Sequence, residues 1–579
     1  MDPVRPFRQA ESRVSLSSHP EGASSRDESS GRDGADRRQI LGLGLGAAAA
    51  LALPTGAWAA AAPVVATGHG RVRGALQDGI HVFKGIRYGA DTGPRRFQAP
   101  QPPAPWSDVK DALAYGAACP QTRFDEPLSE DCLFLNVWTP EAKAGGNRPV
   151  MVYIHGGAYS HGSGSDALYD GTRLARRGDV VVVTLNHRLN VFGHFYLGRL
   201  TGPAYAQSGN AGILDLVLAL RWVRDNIAAF GGDPGRVMLF GQSGGGAKIA
   251  TLMATPAAQG LFHRAATMSG QQVTASGPLN ATARATAYLA ALGLTPDRAE
   301  EAATLPVDRL LEALNTADPI HGVAAQGMGG LYWGPVLDDQ VLTRHPFYPD
   351  APAQSAGIPL IIGNTHDETR LLIGGGDPAT FSLTWDQVAP LLAKHMRVDI
   401  NPDLVMAEYR ALYPAYSPSD VFFSATTAGR SWRAAVVEAE LRAAQAQALG
   451  REQGGQGAAP TYVYQLNWGS PKDGGKWRAP HTLDIPLVFD NTGVPDSLST
   501  DSVEARRMAE RMSGAFIAFA RTGDPNADGP NTGGAPRWTP YTLVGRETMV
   551  FDLDTRLEQD PRGAERRLFA RVPFTQQGT

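Results

Sequence analysis

Cysteine is nearly absent from this chain: Cys119 and Cys132 are the only two in 579 residues. A disulfide-dense scaffold is therefore excluded, and one pair remains to be explained. Lysine is scarce as well, seven against 46 arginines, which reflects genome composition rather than function. Charge of one sign is lacking: the net charge is -4, and no basic stretch is concentrated enough to point to nucleic acid. Beyond residue 63 no apolar run approaches the roughly 20 residues of a membrane span. No cluster of His, Cys, Asp or Glu stands at ligand spacing, so neither a metal nor any other cofactor is expected. Gly (66) and Pro (42) stay below the share that marks a disordered chain.

What is present is a large globular composition, with 43% hydrophobic and 19% charged residues. The length suits two to four domains or one large α/β unit with insertions. Residues 1–36 are polar, rich in Ser, Arg, Asp and Glu, and without periodicity, so a disordered extension is expected. Residues 37–59 follow with Arg37-Arg38, a Gly/Leu/Ala run to Leu53, and Ala57-Trp58-Ala59, a small-x-small cleavage pattern. This segment resembles a twin-arginine export signal, although Asp36 stands where a hydroxyl residue usually precedes the arginines. An ordinary secretory signal or an uncleaved anchor is the alternative. The expectation is an exported protein, periplasmic or secreted. In that setting Cys119 and Cys132 suggest a disulfide closing the loop from Pro120 to Asp131; two buried thiols are the other reading.

From residue 63 onward, strand and helix signals alternate. The runs 151–154, 180–183, 237–240 and 359–362 are short and apolar, as expected of strands buried on both faces of a parallel sheet. Residues 213–230 carry apolar side chains at helical spacing and end at Gly231-Gly232-Asp233-Pro234. Further helical patterns cover 298–314, 386–396, 402–412 and 433–449. No repeat and no interior linker divides the chain, so 63–579 reads as a single α/β domain with long insertions.

Chemistry enters at Gly241-Gln242-Ser243-Gly244-Gly245, placed after a strand and before a helical stretch. That context is what a nucleophile elbow needs: a sharp turn that lifts Ser243 above the sheet at a helix N-terminus, where developing negative charge is favoured. His155-Gly156-Gly157-Ala158 follows another strand and can turn backbone N–H groups toward the same oxygen. Gly156, Gly157 and Gly244 are the candidate oxyanion donors, each typically worth roughly 3–4 kcal/mol of barrier.

Glu130-Asp131-Cys132-Leu133-Phe134-Leu135-Asn136-Val137-Trp138-Thr139-Pro140 resembles a signature of the type-B carboxylesterase family, which includes the cholinesterases. His155 to Gly164, Tyr169-Asp170-Gly171, Asn186 to Gly193 and Gly231 to Pro234 match further stretches of it. The resemblance covers most of 64–579 and implies an α/β-hydrolase fold: a large, mostly parallel sheet flanked by helices, with insertions forming a gorge. It implies a Ser–Glu–His triad in that chain order, no cofactor, and a small-molecule ester as partner. It also implies that Cys132 closes a surface loop with Cys119. Within Ile362 to Glu368, Glu368 falls at the acid position, with Asp367 as rival; within Pro480 to Pro486, His481 falls at the base position. Asp484 and Ser269 fall where the family has supporting residues.

Two departures bear on substrate. Gln242 replaces a Glu that family members often carry before the serine. The loop between the cysteines has Phe124 as its only aromatic, where cholinesterases carry a Trp that stacks on a quaternary ammonium. Tyr332, Trp333, Phe381, Trp385, Phe422, Phe423 and Trp432 lie in the insertions expected to line the gorge, each more simply read as packing. The resemblance thus implies a serine hydrolase of neutral or aromatic carboxylic esters. Xenobiotic, toxin or carbamate esters cleaved by the same mechanism are one alternative, and a non-catalytic binding module is another. Oligomeric state is not legible.

Overall fold

The computed structural model describes residues 62–579 except 123, 321–329, 453–457, 496, 527–534, 577 and 579. The expected disordered extension (1–36) and export segment (37–59) lie outside the described residues.

Eleven strands form one sheet: β1 (Ala75–Gln77), β2 (Ile80–Arg87), β3 (Phe134–Thr139), β4 (Arg148–Ile154), β5 (Val181–Leu185), β6 (Gly232–Gln242), β7 (Arg264–Met268), β8 (Leu360–Thr365), β9 (Thr461–Leu466), β10 (Glu547–Phe551) and β11 (Arg556–Gln559). Their spatial order is β11-β10-β9-β8-β7-β6-β4-β5-β3-β2-β1. The central strands, from β5 and β4 through β10, pair in parallel, and both edges are antiparallel. This is the expected α/β-hydrolase sheet. A small second sheet joins Val64–Thr67, Gly70–Arg73 and Val109–Asp111.

The continuous apolar runs have a direct cause. On β4, Val150, Val152 and Ile154 face one hydrophobic layer while Met151 and Tyr153 face the other. The first layer is completed by helices α1 (Ala211–Asn226) and α2 (Gly244–Met253), through Leu216, Leu220, Ile249 and Leu252. The second is completed by the helix Val503–Thr522, through Met508, Met512, Phe516 and Phe519. A strand covered on both sides has no reason to alternate polar with apolar. A third, separate cluster lies in the insertion between β8 and β9. It is built by α3 (Glu368–Leu372), α4 (Trp385–His395), α5 (Pro402–Leu412) and α6 (Pro418–Thr427), and α7 (Arg433–Glu452) follows them.

Helices 386–396, 402–412 and 433–449 fall within a few residues of the expected bounds. The stretch 298–314 differs. It is a 3₁₀ segment (Pro296–Thr304) with non-helical backbone at Arg298, followed by a short α-helix (Val307–Glu312). Leu305-Pro306 separates the two, because proline restricts the residue before it to extended conformations. Among the described residues no helix is long and apolar enough to cross a membrane.

The two cysteines depart from the expected bridge. Cys119 and Cys132 are free, buried thiols. They lie in contact, and the hydrogen bond to Cys119, reinforced by burial, pushes the Cys132 thiol well above its ordinary value. Cys119 Sγ also accepts the Leu189 N–H at 3.3 Å.

Beside them is a fully buried ion pair. Asp215 on α1 accepts the Arg188 backbone N–H and Nε, both at 2.9 Å, and Nη2 at 2.7 Å. The remaining guanidinium nitrogen, Nη1, donates to the Gln98 carbonyl at 2.7 Å. The pair anchors the segment after β5 to α1. Removing one partner leaves a buried charge uncompensated, which typically costs about 3–5 kcal/mol. Asp215→Ala is therefore expected to lower the unfolding free energy obtained from urea titration by an amount of that order. A change below about 1 kcal/mol, the range of an exposed pair, would show that Arg188 finds another acceptor or water.

Candidate active site

Gly241–Gly245 carries the chain from the end of β6 into α2. Ser243 sits at the turn with φ 57° and ψ -127°, a conformation that costs a non-glycine residue on the order of 1–3 kcal/mol. It is held there by its N–H, which donates to the Met268 carbonyl of β7 at 2.7 Å, and by its carbonyl, which accepts the Ala247 N–H at 3.1 Å. The amide of Gly244 opens α2 and has no acceptor within the helix, as for every first-turn N–H.

The turn after β4 comes against this elbow. A Cβ on Gly244 would stand 2.1 Å from the Ala158 carbonyl oxygen, so only glycine admits that approach. Gly157 has φ +82°, and a Cβ there would meet the His161 carbonyl oxygen at 2.1 Å. Among the described residues, the N–H groups of Gly156 and Gly157 donate to no protein group. Unused donors beside a serine are what an oxyanion hole requires.

Glu368 opens α3, directly after β8. Its Oε1 accepts the Thr365 N–H at 3.0 Å and Asn364 Nδ2 at 3.3 Å, and its Oε2 accepts His481 Nδ1–H. The Gln242 side-chain amide nitrogen lies 3.2 Å from His481 Nε2 and 3.4 Å from Nδ1; with Nδ1 engaged by Glu368, Nε2 is the nitrogen left to take a proton. Ser243 and His481 line one cavity together with Gly244, Ser269 and Tyr332. The structure thus brings Ser243, Glu368 and His481 to one place. Asp367 is occupied elsewhere: against the upward push of burial, His366, Arg370 and Arg478 hold its carboxyl down to about 2.

The supporting residues are also in place. Ser269 Oγ accepts the Thr365 N–H at 3.3 Å, bracing the turn that presents Glu368. Asp484 accepts the Tyr464 hydroxyl at 2.7 Å, and burial pushes its carboxyl up to about 7. Of the aromatics expected in the gorge, Tyr332 lines the cavity, whereas Trp333 belongs to the main core. Phe381, Trp385, Phe422, Phe423 and Trp432 pack in the insertion cluster. Phe574, near the C-terminus, lines the cavity and carries no sequence signal.

An elbow serine and a buried carboxylate–histidine pair at the C-terminal ends of a parallel sheet define an α/β-hydrolase. The particular family follows from comparison. The profile described as the carboxylesterase family matches residues 61–569, and the chain belongs to that family. It is 35% identical over 519 residues to a para-nitrobenzyl esterase of Bacillus subtilis, covering 87% of this chain and 98% of that one. It is 36% identical to a phenmedipham hydrolase of Pseudarthrobacter oxydans, over 80% and 91% of the two chains. A crystal structure of a Geobacillus stearothermophilus carboxylesterase superposes with a TM-score of 0.75 at 36% identity, covering 87% of this chain and 99% of that one. The protein is accordingly a carboxylic ester hydrolase.

Sequence reasoning passed over Lys248. It is fully buried on α2, and burial pushes its ammonium down to about 7. Its Nζ donates to the His155 carbonyl at 3.1 Å. That carbonyl and the Gly156 N–H are two ends of one peptide group, so a donor on the oxygen makes the N–H a stronger donor in turn. The neighbouring His155, His187 and His194 are buried, each with Nδ1 near a backbone carbonyl at 2.9–3.2 Å. Burial, with Lys248 adding to it, pushes all three imidazoles down, so they stay neutral near pH 7. The one sequence clue was a lysine in an otherwise uncharged helix, from a chain that has few. Lys248→Met keeps the length of the side chain and removes the charge. It is expected to lower kcat about tenfold, a fraction of the loss of a whole oxyanion donor. It is also expected to raise the urea midpoint at pH 8, because the folded chain no longer has to strip the proton from a lysine that is charged when unfolded. An unchanged kcat would limit Lys248 to packing.

Proposed function

We propose that Ser243 is the nucleophile, His481 the general base and Glu368 its orienting acid, in a hydrolase of neutral or aromatic carboxylic esters. The observation that carries this reading is that the strained Ser243 elbow shares one cavity with His481, which Glu368 holds from behind. Ser243 Oγ attacks the ester carbonyl while His481 Nε2 takes its proton, and Gly156, Gly157 and Gly244 receive the developing oxyanion. His481 then returns the proton to the leaving alcohol. Water, activated by the same imidazole, releases the acid from the acyl-enzyme. Glu368, fixed by Thr365 and Asn364, keeps the proton on Nδ1 and stabilises the imidazolium in both steps. Similarity to a protein named para-nitrobenzyl esterase supports an aromatic ester as the substrate here.

Ser243→Ala is expected to lower kcat by roughly 10⁴-fold or more and to abolish labelling by a fluorophosphonate. More than about a tenth of the activity remaining would overturn the assignment. No labelling of the native chain would favour a non-catalytic binding module.

The N-terminal Arg37-Arg38 segment supports export by the twin-arginine route, to the periplasm or beyond. In that oxidising setting the contact between the Cys119 and Cys132 thiols supports a disulfide between them. A loop of this length is worth roughly 3 kcal/mol in the chain-entropy account. Mass spectrometry of exported, non-reduced protein is expected to find neither cysteine alkylatable. Two alkylatable thiols would return the pair to its reduced form.

A further inference from the structure

The wall of this cavity also carries two guanidinium groups, Arg397 from the connection between α4 and α5, and Arg430 from the turn between α6 and α7. Residues Ala428–Trp432 form one π-helical turn inside an otherwise α-helical run. Such turns are uncommon, and they re-aim side chains at functional sites. Here the turn also brings Ser431 onto the cavity.

Neither guanidinium has an ion-pair or hydrogen-bond partner among the described residues, and Arg397 Nε is buried without one. No carboxylate contributes to the environment of either. Burial lowers Arg430 to about 10, and burial together with Arg430 itself lowers Arg397. A guanidinium stays protonated under such pressure, so two like charges stand unbalanced in the pocket. Two further donors beside them also lack partners. Gln271 lines the cavity at 7% exposure with Nε2 unsatisfied, and Ser431 Oγ is buried and unsatisfied. Buried donors are normally paired. Four side chains offering donors, two of them cationic and none a carboxylate, are complementary to an anion.

We propose that this wall is an anion subsite, in which Arg397 and Arg430, with Gln271 and Ser431, hold a free carboxylate borne by the ester. The preferred substrates are then esters that carry a second, ionised acid group, half-esters of dicarboxylic acids among them. The proposal rests on the ester-hydrolase reading of Ser243 and deepens it. A planar carboxylate suits arginine because it can take two parallel N–H donors.

The test uses two matched pairs of chromogenic or phenolic esters. In one pair the extra group is on the acyl side: mono-4-nitrophenyl glutarate against its terminal carboxamide. In the other it is on the alcohol side: 4-acetoxybenzoate against 4-acetoxybenzamide. At low salt, at least one carboxylate is expected to exceed its neutral partner in kcat/KM by about tenfold or more, and which pair does so locates the group. That ratio is expected to fall about tenfold in Arg397→Gln and in Arg430→Gln, and to drop below one in Arg430→Glu. Independently of any variant, glutarate is expected to inhibit the wild-type enzyme competitively at a concentration about tenfold below glutaramide. Neutral esters hydrolysed with no preference for the carboxylate in either pair would overturn the subsite and leave the ester-hydrolase reading standing. A preference that survives both arginine substitutions would overturn it too. No hydrolysis of any ester, neutral ones included, would overturn both.

Discussion

Everything at the site depends on how closely two stretches of backbone meet above the sheet. The start of α2 is pressed against the end of β4 and the turn beyond it. A Cβ on Gly245 would lie 1.9 Å from the Ile154 carbonyl oxygen, and one on Gly244 would lie 2.1 Å from that of Ala158. The sheet enforces this approach, since β4 and β6 pair in parallel with Tyr153 opposite Phe240 and Ile154 opposite Gly241. Both strands therefore end at the same height. The amides of Gly156, Gly157 and Gly244 can converge only because no side chain stands between them. β8 ends on the same edge, and the turn that follows delivers Glu368. Catalytic geometry here is a property of strand register before it is one of side chains.

This also explains what was legible in the sequence. The elbow and the His155–Ala158 turn are local: glycine, serine and the preceding strand are written within a few residues. The central strands were found because burial on both faces leaves unbroken apolar runs. Edge strands such as Ala75–Gln77 and Arg556–Gln559 are short and half-exposed, and carry no such mark. Glu368 and His481 were assigned by family resemblance, since no physical rule links residues 113 apart before the fold is known. Trp333 was placed in an insertion and lies in the main core, because aromatic residues read alike whether they line a cavity or fill one. Arg397 and Arg430 were invisible, two of many arginines brought together only by the packing of the insertion.

The neighbourhood of the nucleophile carries buried charge that does not pair. Lys248 stands on one side of Tyr159, over its ring at 5.6 Å. On the other side the Tyr159 hydroxyl meets Gln272 Oε1 at 3.1 Å, and the Gln272 N–H donates to Glu438 at 2.8 Å. Tyr159 and Gln272 thus stand between a buried base and a buried acid that would otherwise attract each other. Burial pushes Glu438 up to about 8 and Lys248 down to about 7, so each approaches neutrality alone. Groups of this kind cost stability. Their concentration around α2 and the oxyanion turn is the pattern expected where a fold gives up stability for a polar site.

The same bookkeeping of charge connects Gln242 with the arginines of the cavity. Gln242 donates its amide to His481 Nε2, which a carboxylate in its place could not do. A glutamate there would instead favour the imidazolium and would set a negative charge next to Ser243. Two unit charges about 4 Å apart interact by roughly 4 kcal/mol at an effective dielectric of 20. An anionic substrate would meet that charge as repulsion while its carboxylate was drawn to Arg397 and Arg430. With glutamine, no carboxylate stands directly before Ser243, and the charge of Glu368 is already directed at His481. The cavity keeps its two cations, Arg397 and Arg430. Without a carboxylate before the serine to oppose them, they favour an ester that carries its own carboxylate. A cationic alcohol, by contrast, would find no tryptophan in the cysteine loop and two guanidiniums opposing it.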